Sequence, residues 1–225
     1  MKIIVIEGTD CSGKETQSKL LKKRLIEEGY KVVSSSFPRY DSPTGKIVGG
    51  PYLGKDEIMP SFFKEGATKV DPYIASLYYA ADRKYNIKSL LDEAKGADIL
   101  LLDRYVSSNQ AHQGSKILDK DDRFYMYEWL DRLEYWLLDL PKADKTIFLH
   151  MPSNLSDNLK KNRKHLDEHE KDSDYLKRSE TAYIELANAY NWDKIECSDE
   201  FGDLRSIEDI SEDVYNSVIK LLKED

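Results

Sequence analysis

Four β-favouring apolar residues, Ile3 to Ile6, run directly into a loop that ends on a lysine, and this join limits the possible folds more than any other stretch. From Gly8 to Lys14 the spacing is G-x-x-x-x-G-K. Such a strand and loop predict a phosphate cradle: glycines at 8 and 13 let the backbone around Thr9, Cys11 and Ser12 turn its amides inward, and Lys14 reaches the outer phosphates. A helix over Glu15 to Leu25, with apolar positions at Leu20, Leu21 and Leu25, would then aim its positive dipole end at the bound anion. The motif ordinarily continues with a magnesium-binding hydroxyl directly after the lysine. Here Glu15 takes that place and the hydroxyl is delayed to Thr16.

Other classes are excluded by composition. A formal charge of −8 does not favour wrapping nucleic acid, which needs a basic face, whereas a small anionic ligand needs only a locally basic pocket. Mean hydropathy is −0.64, and no apolar run approaches the roughly 18 residues of a membrane span. The two cysteines, Cys11 and Cys197, are far apart and lack metal-type spacing, so reduced thiols and a cytoplasmic location are expected. One domain over residues 1–225 is expected, with a mobile lid at about 160–174, where the basic cluster Lys160, Lys161, Arg163 and Lys164 gives way to an acidic, polar stretch.

Further along, Lys31 to Ser36 reads as a second strand leading to Phe37, Pro38, Arg39 and Tyr40. The glycines and prolines between Asp41 and Val70 predict a surface excursion of loops and short helical pieces. Asp71-Pro72 opens a long helix, with apolar positions at Ile74, Leu77, Tyr78, Ala81 and Tyr85 and from Ile87 to Leu91. Ile99 to Leu102 and Thr146 to Leu149 read as buried parallel strands, ending in Asp103-Arg104 and in His150. Phe124 to Leu138, Asn154 to Asn162, Tyr175 to Tyr190 and Ile207 to Leu222 read as helices, with a last strand over Trp192 to Cys197.

Strands alternating with helices predict an α/β fold with a parallel sheet, whose ligands sit beyond the carboxyl ends of the strands. That rule gathers Gly8 to Lys14, Phe37 to Arg39, Asp103 to Tyr105 and the segment after His150 on one edge. The set suits phosphoryl transfer, which needs a donor cradle, cations, a metal and an in-line acceptor pocket. Lys14 serves the donor, while Asp103, with Thr16 and Glu15, is a candidate for magnesium. Arg39 and Arg104 can fork onto phosphate oxygens, and Asp10 is best placed facing a sugar. Tyr79 and Arg83 share a helix face, which suits either base stacking or core packing; Ser108, Asn109 and Gln113 either read a base edge or cap a helix.

Five stretches carry a resemblance in order and spacing: EGTDCSGKETQ (Glu7 to Gln17), FPRY (Phe37 to Tyr40), YAADR (Tyr79 to Arg83), LLDRYVSSNQAHQG (Leu101 to Gly114) and LPKAD…FLHMP (Leu140 to Pro152). Together they resemble the thymidylate kinase family. The resemblance implies a three-layer P-loop kinase fold, a five-stranded parallel sheet flanked by helices, transfer of the γ-phosphate of ATP to dTMP with magnesium, and a homodimer formed through helices. It implies that Arg39 and Arg104 hold the acceptor phosphate, Asp10 meets the deoxyribose, Tyr79 stacks on thymine, and Arg83 with Ser108 and Asn109 reads its edge. Tyr183 would approach the acceptor on the helix after the lid. Cys11 stands where some members carry an arginine, which assigns the transition-state cation to Arg163 in the lid; His112 stands where a tyrosine is usual, bearing on acceptor choice. Two alternatives accompany this reading: a deoxynucleoside kinase, against which Arg39 argues, and a non-catalytic nucleotide-binding regulator, for which Glu15 speaks.

Overall fold

A computed structural model describes residues 1–9, 11–160 and 172–223. Strands β1 (Lys2–Gly8), β2 (Val32–Ser36), β3 (Ile99–Asp103), β4 (Lys145–His150) and β5 (Asp193–Glu196) form one parallel sheet in the order β2-β3-β1-β4-β5. Its register pairs Ile4 with Leu101 on one side and with Lys145 on the other. Successive side chains of a strand point to opposite faces, so β1 feeds two cores. Ile4 and Ile6 pack with Leu21 and Leu25 of α1 (Lys14–Glu27) and with Val214 and Val218 of α8 (Ile207–Lys223). Ile3 and Val5 pack with Ile87 and Leu90 of α3 (Pro72–Glu93). Helix α4 (Val106–Gly114) and α7 (Ser173–Ala189) cover Phe148 through Ala111 and Tyr183. The expected α/β three-layer architecture is the one observed. No described helix is long and apolar enough to cross a membrane.

Three elements differ from the sequence expectation. The 41–70 excursion has the expected short helical pieces but also a core of its own: α2 (Pro43–Ile47), a π-helical turn Val48–Tyr52 and a 3-10 turn Ala67–Lys69 enclose Val48, Tyr52, Leu53, Ala67 and Val70. It is tied to the end of α4 by Lys116, whose ammonium donates to the Tyr52 hydroxyl and the Ala67 and Val70 carbonyls, with burial lowering its pKa to about 7. The aromatic-rich stretch is α5 (Lys120–Asp131) followed by a π-helical turn Arg132–Leu137. Helix α3 is apolar on two faces: Ala75, Ala80, Ile87 and Leu90 are buried, whereas Ile74, Leu77 and Tyr85 are exposed. The remaining helix, α6 (Ser153–Lys160), leads into residues 161–171, which hold most of the expected lid and lie outside the described residues.

At the end of β4, His150 is clamped between two carboxylates, Nδ1 at 2.5 Å from Glu196 and Nε2 at 3.0 Å from Glu180 of α7. Glu180 also accepts from the Ser153 backbone amide at the start of α6. The hydrogen bond to Glu180, then that to Glu196, raises the histidine pKa above its ordinary 6.5 against burial. Burial pushes both carboxylates up, but their hydrogen bonds more than offset this and hold them below 4.5. The histidine contribution is therefore complete below pH 6.5 and fades as pH rises through the raised folded value. The carboxylate contribution is complete above pH 4.5 and fades on acidification. We expect wild type to exceed His150→Gln in Tm by ~2–4 °C near pH 6, from an ion pair of about 1 kcal/mol, and by less at pH 9. An equal gap at both pH values in thermal melts would contradict the clamp.

Candidate active site

Adjacent strands β1 and β3 send their connections to opposite sides of the sheet, which opens a crevice between the loops that leave them. The loop after β1 is the phosphate cradle. A Cβ at Gly8 would sit 2.7 Å from the Leu149 carbonyl oxygen, so only glycine lets the loop pass β4. Cys11 (φ 63°) and Gly13 (φ 81°) both take the left-handed conformation, and Gly13 feeds the first turn of α1. Lys14 folds back over this turn, donating to the Thr9 carbonyl at 2.7 Å and the Ser12 hydroxyl at 3.4 Å. Lys14, Thr16, Glu15, Cys11 and Gly13 share a cleft of about 560 Å³, open mouth included, with Asp103 and Arg104 from the end of β3.

For magnesium the donor chemistry fits. The Thr16 hydroxyl and Asp103 carboxylate are hard oxygens in the wall of the lysine cleft, and this ion takes one or two such ligands together with phosphate oxygens. Glu15 lies in the same wall, but its carboxylate is largely exposed and meets Lys19 at 2.5 Å. Among the described residues no group of three or more His, Cys, Asp or Glu side chains is arranged to hold a metal.

A second cleft of about 490 Å³, open mouth included, adjoins the first and shares Arg104 with it. Its wall brings together Phe37, Pro38, Tyr79, Arg83, Ser108, Asn109 and Gln113, residues scattered over almost eighty positions, and adds Tyr40, Leu53 and His112. Tyr79 meets Tyr52 edge to face, with ring centroids 5.7 Å apart. Gln113 is fully buried with neither amide atom partnered among the described residues, and the buried Asn109 Oδ1 is likewise unpartnered. Unsatisfied buried amides facing a cleft favour a ligand that supplies both donors and acceptors.

Arg104 stands between the clefts with its backbone in the left-handed region (φ 66°), which is costly for arginine and is held by the hydrogen bond its amide donates to the Ile6 carbonyl. Its Nη1 lies within 3.2–3.4 Å of the Gly8 carbonyl, the Ser108 and Tyr183 hydroxyls and His112 Nε2. The His112 Nδ1 in turn is 3.0 Å from the Tyr175 hydroxyl. Tyr183 donates to Glu7 Oε2 at 3.1 Å, and its ring stacks on Phe148.

Arg39 is placed differently. It is outside the residues lining the second cleft, and its guanidinium lies 3.9 Å from Glu93 and 4.0 Å from Asp41. Asp10 and Arg163 lie outside the described residues.

Three buried carboxylates that build the site went unnoticed in the sequence. Glu7 accepts from the Tyr105 and Ser108 amides and from the Ser107, Ser108 and Tyr183 hydroxyls. Asp82 accepts from the Arg39 amide, the Ser42 and Thr44 hydroxyls and the Asn86 amide, fixing the FPRY loop to α3. Glu134 pairs with Arg83. Burial lowers the Arg83 pKa and Glu134 more than offsets this, so it stays above the ordinary arginine value. Glu7 and Asp82 lie inside recognisable motifs; a charge within the aromatic stretch RLEYW was the only signal for Glu134.

The fold, its phosphate loop and the adjoining two-cleft edge define a P-loop nucleotide-binding protein of the phosphotransferase kind. The thymidylate kinase family profile matches residues 6–206. The chain belongs to the thymidylate kinase family. Its relatives include a probable thymidylate kinase of Thermococcus kodakarensis, 30% identical over 223 residues that cover 98% of this chain and 96% of that protein. The thymidylate kinase of Mycobacterium tuberculosis is 27% identical over 196 residues, 84% of this chain and 87% of its own. A probable thymidylate kinase of Pyrococcus horikoshii is 28% identical over 98% of this chain and 95% of its own.

Proposed function

We propose that the chain transfers the γ-phosphate of ATP to dTMP, giving dTDP and ADP. The observation that carries this reading is Arg104, one guanidinium in the wall of both the phosphate-loop cleft and the amide-lined cleft, where a donor and an acceptor phosphate meet. The Lys14 ammonium binds the donor's outer phosphates, while Arg104 neutralises the acceptor phosphate and holds it in line. Arg39 exchanges Asp41 and Glu93 for the same phosphate. Thr16 and Asp103 hold magnesium, which supplies charge neutralisation on the donor phosphates when bound. Tyr79 stacks on thymine, and Arg83, Ser108, Asn109 and Gln113 read the base and its sugar side. Asp10 and Arg163 keep the deoxyribose and transition-state roles that the resemblance implies.

We also read the chain as a cytoplasmic homodimer. Exposed Ile74, Leu77, Ala81 and Tyr85 recur at helical spacing on one side of α3, an apolar seam suited to a second copy. A coupled ADP-release assay with ATP, magnesium and dTMP, dUMP, dCMP, dGMP or thymidine tests the reaction. We expect dTMP to stimulate turnover and thymidine not to; no response to any monophosphate removes the reading. Light scattering on the same preparation gives the mass, and a monomer at assay concentration removes the dimer.

A further inference from the structure

The unused polarity of Asn109 is fixed from behind the cleft. Its Nδ2 donates to the Ser76 carbonyl at 3.1 Å and to Glu134 Oε1 at 2.9 Å. Both partners are acceptors only, so turning the amide over would set its oxygen against two oxygens. Oδ1 is therefore the atom left without a partner among the described residues, buried in the wall of the cleft, where an unpaired acceptor is costly. Glu134 is fully buried in the π-helical turn Arg132–Leu137, and α3 and α4 both lean on it. Its Oε1 also accepts from Arg83 Nη2 at 2.6 Å, and its Oε2 accepts from Arg83 Nε. One carboxylate thus holds two cleft-wall side chains.

We infer that Glu134 is the positioning residue for base choice: by accepting from both Arg83 and Asn109 it locks the Asn109 oxygen toward the base. It thereby selects an acceptor nucleotide whose ring edge carries an N–H, as thymine and uracil do at N3, over cytosine, whose N3 carries a lone pair. This rests on the proposed placement of the base in the second cleft. Rejection follows from the cost of facing a lone pair with a buried, unpartnered oxygen, which a hydrogen-bonding site converts into discrimination on the order of 10³ or more. Methionine at 134 has nearly the same length but no acceptor oxygen, so the Asn109 amide keeps only the Ser76 carbonyl as a partner and Arg83 loses both of its carboxylate bonds.

The test compares kcat/KM for dTMP, dCMP and dUMP in wild type and Glu134→Met, with thermal melts confirming that both are folded at the assay temperature. The dTMP-over-dCMP ratio is expected to fall by ~10-fold or more in the variant. The dTMP-over-dUMP ratio, which reports only the ring methyl, is expected to stay within about twofold. A merely structural role lowers all three substrates together and leaves both ratios at their wild-type values, which overturns the inference. If Glu134→Met does not fold at that temperature, Glu134→Asp is measured instead, since it draws the acceptor oxygens back by one methylene. The same fall in the dTMP-over-dCMP ratio is expected there, and an unchanged ratio overturns it equally. Wild type that accepts dCMP as well as dTMP refutes the base placement itself, a separate failure.

Discussion

Lys14→Ala lowers kcat with ATP and dTMP by ~10²–10³-fold and leaves the fold in place. The magnitude is that of removing one preorganised donor from a phosphoryl-transfer or oxyanion-type site, where charge develops in a water-poor cleft. Lys14 is only 7% exposed and donates to the neighbouring Thr9 carbonyl and Ser12 hydroxyl within the same loop. Its loss removes that local tie, worth about 1 kcal/mol. Alanine is also a good first residue for α1. Coupled ADP release and a thermal melt on the same sample check both halves. Activity within a few-fold of wild type would move the donor site away from the Gly8 to Lys14 loop.

Glu7→Ala is expected to be the most damaging single change to the site's framework, costing ~3–5 kcal/mol, or about 6–20 °C of Tm in a chain of this length. The reason is the kind of donor each carboxylate oxygen meets. Oε1 accepts from two backbone amides, Tyr105 and Ser108, which can only donate, and from the Ser107 hydroxyl. Oε2 meets the Ser108 and Tyr183 hydroxyls, which can turn and accept. Alanine takes this acceptor from the Tyr105 and Ser108 amides and the Ser107 hydroxyl at the start of α4. Glutamine, with its oxygen at Oε1 and its NH2 at Oε2, keeps every contact, so Glu7→Gln should cost no more than about 1 kcal/mol. Urea titrations of the two variants separate the cases; equal losses would show that charge rather than acceptor count matters at this position.

The contrast between Lys14 and Glu7 also marks what could be read along the chain. Lys14, Gly8 and Gly13 are legible because a phosphate cradle is a local device: its strand, loop and helix follow one another directly between Ile3 and Leu25. The strands were legible for a similar reason. Central parallel strands are buried on both faces and read as unbroken apolar runs, as at Ile99 to Leu102. The spacing leaves Tyr79 open between base stacking and core packing; it packs edge to face on Tyr52 and lies in the wall of the second cleft.

Helix α3 shows where pattern alone falls short. Its apolar positions announced a helix, but hydrophobicity cannot say which stripe meets the sheet and which is left outside. Ile74 and Leu77 turn out exposed, while Asp82, Arg83 and Asn86 are buried. Buried charge is invisible in sequence because its viability depends on a distant partner. Arg83 is tolerable inside only because Glu134, fifty-one positions away, accepts from it.

By itself the sequence determined the phosphate loop, the alternating α/β order and the set of polar residues gathered at one edge of the sheet, since each follows from short-range spacing or strand polarity. Only the tertiary structure decided that Arg104 belongs to two clefts, that Arg39 rests beside Glu93, and that Glu7, Asp82 and Glu134 are the acceptors on which the site is built. Hydrogen-bond complementarity between remote segments is set by packing, and no local pattern encodes which donor a buried carboxylate will meet.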